Sequence, residues 1–296
     1  MDNPQIFTEA VAPEEDEKTA SRGSRGRKAK AANPPSVRIV MNLFYEPPGE
    51  LKVLLSRNKD LYFPILGGAA RKDVRFSAWM LRNAQRDDEG ENISLHNAML
   101  NEMTSIYWAW KHLDRLGNPD YVGFNHYRRF FAREELENLV DVDIVCARRM
   151  KFKTSVQTNY GTCHVRSHAE RMLDVLAEMK SPMLDDAVGA FKGVFLFPCN
   201  LFVMKTVLFR EYCSDLFPVL FRLEKEINLR GLTAYQQRAI CFLGERLTSA
   251  WITKKMYEGC RIRQVPFVFK KEWQPDGTPN GRNPKGTPRQ SQNGQP

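Results

Sequence analysis

Residues 120–131 read Asp-Tyr-Val-Gly-Phe-Asn-His-Tyr-Arg-Arg-Phe-Phe, an apolar run with a strongly basic exit. It reads as a buried strand that opens onto His126, Arg128 and Arg129. A strand end delivering clustered cationic donors is where α/β proteins hold an anionic ligand, diphosphate foremost. An edge strand followed by a solvated basic turn is the competing reading.

Upstream, the polar loop 87–97 runs into a helix predicted over 97–113. Met99, Met103, Ile106, Trp110 and Leu113 recur at helical spacing and mark its core face. Asn97, Asn101, Thr104, Trp108 and Lys111 repeat that spacing on the opposite side. Such a mixed stripe lines a ligand cleft or faces water, and spacing alone does not choose.

Val37–Phe44 is β-branched and apolar, and is expected to be the first strand of a central sheet, with Leu51–Leu55 a second short one. Phe63–Ala69 reads as a strand entering a glycine turn, without the second-glycine spacing of a dinucleotide or Walker loop. Asp143–Ala147 reads as a further buried strand. Asp141-Val-Asp143 just before it is the acidic spacing that could bridge Mn²⁺ or Mg²⁺ to a diphosphate, though so short a pair arises readily by chance. Phe209 to Ile227 forms a helical core stripe, and a second helix is predicted over 235–255 with Leu243 and Leu247 inward. Glu245 then projects away from the core, either as a solvated carboxylate beside Arg246 or as a base or sugar ligand. His164 and His168, four apart, fit a shared helix face but lack a third metal ligand.

The 296 residues suffice for one large α/β domain, and 42% hydrophobic content supplies a core. Residues 1–36 and 272–296 are poor in apolar residues and are expected to be disordered tails around a 37–271 catalytic domain. Residues 1–36 hold six acids and six bases, and 272–296 two acids and three bases, which leaves +8 of the +9 net charge on 37–271. That suits a pyrophosphate donor, an anionic membrane or an acidic glycan equally. No signal peptide or membrane-spanning run is visible, so a cytoplasmic protein is expected, with peripheral membrane contact open. The six cysteines are irregularly spaced and read as reduced thiols.

Three longer motifs carry a resemblance. They are Asp88-x-Gly-x-Asn-Ile-Ser, Asn101-Glu-x-Thr-x-x-Tyr-Trp-x-Trp-Lys111 and Tyr121-Val-Gly-x-x-His-Tyr-Arg-Arg-x-Phe131. With Tyr160, His164, Asn200-Leu-Phe-Val-Met-Lys205, Tyr212-Cys213 and Phe242-Leu-Gly-Glu-Arg-Leu247, the chain resembles the glycosyltransferase-like domain-of-unknown-function family of bacterial capsule and exopolysaccharide clusters, from Val37 to Phe269. The resemblance implies a nucleotide-diphospho-sugar transferase (GT-A-like) fold, an α/β mixed sheet flanked by helices. It implies transfer of a sugar from a nucleotide-sugar donor to a glycan or lipid-linked acceptor. Donor contacts are expected at Asn92, Asn101, Thr104, Lys111, His126, Arg128, Arg129 and His164. Asp143 and Glu245 are the candidate catalytic bases. Arginine forks in place of a metal are favoured, with a divalent cation through Asp141 and Asp143 as the alternative. The chain departs from the pattern at Asn42-Leu-Phe-Tyr-Glu-Pro-Pro48, where many relatives carry a Thr-His-Lys-like turn, which puts the usual nucleotide contacts there in doubt. The rival functions are a catalytically inactive binding or scaffold protein of polysaccharide assembly and, ranked last for want of any nucleic-acid motif, a polyanion binder.

Overall fold

The computed structural model describes residues 34–273, so most of both expected tails lies outside the described residues. Ser36 and Trp273, placed in the tails by composition, are part of the fold. Ser36 donates from its backbone N and its Oγ to Asp120, each at 2.8 Å, and Trp273 stacks on Phe130 with ring centroids 5.9 Å apart.

The strands in chain order are β1 (Val37–Leu43), β2 (Tyr62–Leu66), β3 (Gln85–Arg86), β4 (Tyr121–His126), β5 (Arg129–Phe130), β6 (Ile144–Ala147), β7 (Met150–Lys151), β8 (Phe195–Leu196), β9 (Phe202–Lys205), β10 (Ile262–Val265) and β11 (Val268–Phe269). Among the described residues the main sheet runs β10-β6-β9-β4-β1-β2-β3, with β5 and β11 pairing beyond the end of β4. β1, β2, β3 and β4 are mutually parallel, and so are β6 and β10. β9 runs antiparallel between β4 and β6. This is the mixed α/β sheet that was expected.

Alternation along β1 and β4 feeds two cores. Val40, Val122 and Phe124 meet the helices Met103–Lys111, Thr206–Glu226 and Ala239–Tyr257 on one face. Ile39, Met41 and Tyr121 face the helix Gly49–Arg57 and the segment around Phe131 on the other. The Ala239–Tyr257 helix is buried nearly all round, which only a helix enclosed by others can be.

Two expectations fail locally. Leu51–Leu55 is not a strand but lies in the Gly49–Arg57 helix, where Leu51 and Leu55 are one helical turn apart and both buried. Five apolar-rich residues fit either period, and Pro48 in extended conformation at the N-cap supplies the helix start. The helix predicted over 97–113 is broken in two, Asn97–Leu100 and Met103–Lys111, by Asn101 at φ 44° and ψ −121°. Its polar stripe is not wet: Asn97, Thr104 and Trp108 are buried, and Trp108 stacks on Phe63 and donates to the Glu89 carbonyl at 2.8 Å. Among the described residues no helix is long and apolar enough to cross a membrane.

Candidate functional site

From β1 the chain steps outward to β2 and β3, then returns to lay β4 on the other flank of β1. Where strand order reverses, the connections leave in opposite directions and open a crevice beyond the C-terminal strand ends, the usual ligand position in open α/β sheets. Asn42, Gly67–Gly68, Asp87 and His126 stand at that end, on or just beyond β1, β2, β3 and β4.

His126 closes β4, and its Nε2 lies 2.7 Å from the Cys199 carbonyl. A carbonyl only accepts, so Nε2 carries the proton and Nδ1 is left as an acceptor. Burial lowers the imidazole's pKa and the Arg129 charge adds to this, against the opposing pull of Glu102. Burial therefore works against the cationic donor form of His126 expected from sequence. Its partner segment is strained: Cys199 (φ 67°) and Asn200 (φ 50°) sit consecutively in the left-handed region. Each such residue costs about 1–3 kcal/mol, and such outliers concentrate at functional sites.

Two carboxylates hold that turn. Glu245 Oε1 accepts from Cys199 N at 2.6 Å, and Glu102 Oε1 accepts from Asn200 Nδ2 at 3.0 Å. Burial alone would raise the Glu102 carboxyl, but His126, Arg238 and a hydrogen bond from Cys241 bring it below its ordinary range. Glu102 was not singled out from sequence. No local spacing marked it, because the helical apolar pattern runs straight across Asn101. Glu245 is not the freely solvated side chain of the simpler expectation. Its Oε2 pairs at 2.5 Å with Arg246, which is 4% exposed and also donates to the Phe242 carbonyl. Arg128 and Arg129 are half-buried in the turn and strand after β4. The Arg129 guanidinium lies over Phe269 at 4.5 Å, and the charge of both arginines reaches the Cys199 thiol.

The remaining predicted residues divide. Thr104 belongs to a buried polar knot in which Asp87 accepts from Gly68 N, Ala69 N, Ser94 Oγ and Thr104 Oγ1. Asn92 shapes the preceding loop, donating to Asp88 and Gly90 carbonyls and accepting from Ser94 N. Asn101 leaves its buried Nδ2 without a partner among the described residues. Lys111 sits at the far end of its helix, paired with Glu91 at 2.9 Å and over Trp110 at 4.2 Å, away from the His126 cluster.

His164 ends the helix Val156–Cys163 and stacks on Phe242 (4.1 Å), with the Tyr160 ring tilted against it (4.8 Å). Burial, and then Arg246, bring its imidazole down to about 3. The unfolded chain binds that proton near pH 6.5, so neutral His164 supports the fold above about pH 6.5 and that support is lost as pH falls toward 3. His164→Phe, which keeps the stacking, is expected to flatten the stability–pH curve between about pH 6.5 and 4. Urea unfolding across that range checks it; an unchanged slope would assign the acid limb to other groups.

Asp141 and Asp143 lie elsewhere. The Asp143 carbonyl accepts from Lys205 N, and Lys205 pairs with Tyr121 at the start of β4. Asp143 thus lies five strand residues, roughly 16 Å along the strand direction, from the level of His126, and two strands away across the sheet. Its carboxylate takes Lys205 Nζ at 2.6 Å and Arg261 N at 2.8 Å, and Asp141 pairs with Arg261 at 2.8 Å. Burial would raise the Asp143 carboxyl, but Arg261 and Lys205 hold it far below the usual range. Neither a base role for Asp143 nor a cation bridge through the pair fits this placement at the opposite end of the sheet. Among the described residues no group of three or more His, Cys, Asp or Glu is arranged to hold a metal ion. Asp143→Asn is expected to cost about 1–2 kcal/mol near neutral pH, since its partners are part-exposed. The cost should shrink as pH drops below about 4, where the unfolded carboxyl takes up its proton, and vanish only below the lowered pKa of the folded carboxyl. Denaturant unfolding at pH 7 and pH 3 tests both statements, and ligand binding in the cleft should be unaffected.

The fold has a solved counterpart. The chain matches the apo structure of the WbbM bifunctional glycosyltransferase with a TM-score of 0.63 and 21% identity, over 80% of this chain and 45% of that one. It therefore spans less than half of that protein's length. No curated protein sequence matches. Residues 52–256, well over half of the chain, match a single family along β2, β4, β6 and β9 and the helices between them, and the protein belongs to that family, described as Domain of unknown function (DUF4422).

Proposed function

We propose that the protein is a glycosyltransferase that moves a sugar from a nucleotide-diphospho-sugar donor to a glycan or polysaccharide-precursor acceptor. One observation carries the reading. At the reversal of strand order, two half-buried arginines lie near two carboxylates fastened to a strained left-handed turn. Diphosphate departure needs positive charge placed where negative charge develops, and acceptor attack needs a base within reach.

In this assignment Arg128 and Arg129 neutralise the diphosphate, and the unpartnered Nδ2 of Asn101 donates to the donor. His126 holds the Cys199–Asn200 turn, with Glu102 steadying it from the other side. Glu245 is the base, and the aromatic stack of Tyr160, His164 and Phe242 borders the acceptor side. Asn92 and Thr104 act through the Asp87 knot, and Lys111 has no role at the reacting atoms.

The test is a thermal-shift and calorimetric screen of sugar nucleotides with and without Mn²⁺, followed by a donor-hydrolysis assay on the best binder. Arg128→Ala and Arg129→Ala are expected to weaken donor binding at least tenfold each, the scale of one charge-assisted contact. Full affinity in the double variant would refute the assignment. A strict need for Mn²⁺ would send the search for its ligands to the cleft carboxylates Glu102 and Glu245.

A further inference from the structure

Between Asp143 and Glu170 the chain has no acidic residue, and none between Asp186 and Glu211. The two stretches meet in the small two-stranded antiparallel sheet of β7 and β8. Strand alternation sorts its side chains: Met150 pairs with Leu196, both buried, and Lys151 pairs with Phe195, both exposed. Arg149 and Lys153 share the outward parity of Lys151, and Arg148 and Lys192 are exposed beside them. Phe195 is 40% exposed, with the Arg149 guanidinium 4.1 Å above its ring. None of Arg148, Arg149, Lys151 and Lys192 is paired with a carboxylate among the described residues.

We propose that this two-stranded face docks onto an anionic lipid surface. Unpaired cations on an exposed two-stranded face lower their energy by approaching a negatively charged plane, each by about fivefold in affinity. Charge alone would serve any polyanion. The exposed Phe195 adds an apolar ring flanked by long basic side chains, the pairing of groups that matches a headgroup boundary, where the ring enters and the charges stay in water.

The position gives the contact a consequence. β7 begins within three residues of the end of β6, and β8 leads within three residues into Cys199, so the patch borders the cleft. Docking would turn the cleft toward a lipid-carried acceptor, a consequence that rests on the transferase reading; the lipid contact itself does not.

The full chain is to be sedimented with vesicles of phosphatidylcholine containing one-third phosphatidylglycerol, and with vesicles of phosphatidylcholine alone. Binding only to the anionic vesicles, weakening as salt rises, is expected. The triple variant Arg149→Ser, Lys151→Ser, Lys192→Ser should bind about 100-fold more weakly, and Phe195→Ser about tenfold more weakly, both with unchanged melting temperature. Undiminished vesicle binding by the triple variant overturns the proposal. So does equal binding of a soluble sulfated polysaccharide that Phe195→Ser leaves untouched, since the site would then be a general polyanion site. Transfer to a soluble acceptor by the native chain, measured in parallel, separates the two readings: intact transfer without vesicle binding sinks only the membrane contact, and vesicle binding without transfer sinks only the transferase.

Discussion

Replacing Glu245 with glutamine is expected to cut sugar transfer by about 10²- to 10⁴-fold, the usual contribution of a positioned base, while donor binding changes little. Glutamine can keep the bond that Cys199 N makes to Oε1. What it loses is the negative charge, and with it the ability to take a proton from an acceptor hydroxyl. The loss also leaves Arg246, 4% exposed, without its counter-charge. Stranding a buried guanidinium costs about 3–5 kcal/mol in the limit of full burial, so the variant must be assayed well below its own melting temperature. The discriminating measurement is calorimetric donor affinity beside kcat. Native affinity with lost turnover supports the base, whereas parallel loss of both would reassign Glu245 to holding the Cys199–Asn200 turn. Retained turnover ends the role altogether.

The second large effect concerns Asp87. It has no exposed surface, and its carboxylate takes the amides of Gly68 and Ala69 at 2.8 Å each, together with the hydroxyls of Ser94 and Thr104. Asp87→Ala removes all four acceptor bonds. The hydroxyls can turn to other oxygens, as Thr104 already can toward the Asn101 carbonyl at 3.0 Å. The two amides cannot turn, and each buried orphan costs about 1–3 kcal/mol. A loss of about 2–6 kcal/mol follows from the two amides, a large share of the 5–15 kcal/mol typical of a domain. Asp87→Asn keeps one acceptor oxygen and should fall between the native protein and the alanine variant. Urea unfolding decides; a cost below about 1 kcal/mol would mean that water replaces the carboxylate and the knot is not what holds the Gly67–Gly68 turn. The turn has little freedom to rearrange, because Gly68 has φ +75° and a Cβ there would lie 2.7 Å from the Asn97 side chain.

Much of the sheet was legible in the sequence because its strands announce themselves locally. β1, β4 and β6 are short apolar runs with β-branched residues between breakers, and their extents agree with expectation to within about two residues. The helix Thr206–Glu226 was equally readable from its stripe. Periodicity misled where two patterns coincide. Leu51–Leu55 is too short to separate a period of 2 from 3.6, and the apolar spacing from Met99 to Met103 carries straight across the Asn101 break. Asparagine is one of the few residues that tolerates φ > 0, but most asparagines do not adopt it, so composition gave no notice of the break.

Sequence by itself determined the α/β alternation, the basic exit of β4 and which helices carry a continuous apolar stripe, because each of these follows from interactions among residues a few positions apart. Only tertiary structure decided which charged groups share a site. It joined His126 to Cys199, Glu102 to Asn200 and Glu245 to the Cys199 amide, contacts spanning 46 to 98 residues, and it carried Asp141 and Asp143 to the other end of the sheet. The physical reason is that a carboxylate's neighbours across such separations are set by strand order and direction, which arise when the two apolar faces of the whole sheet are buried at once and which no local spacing encodes.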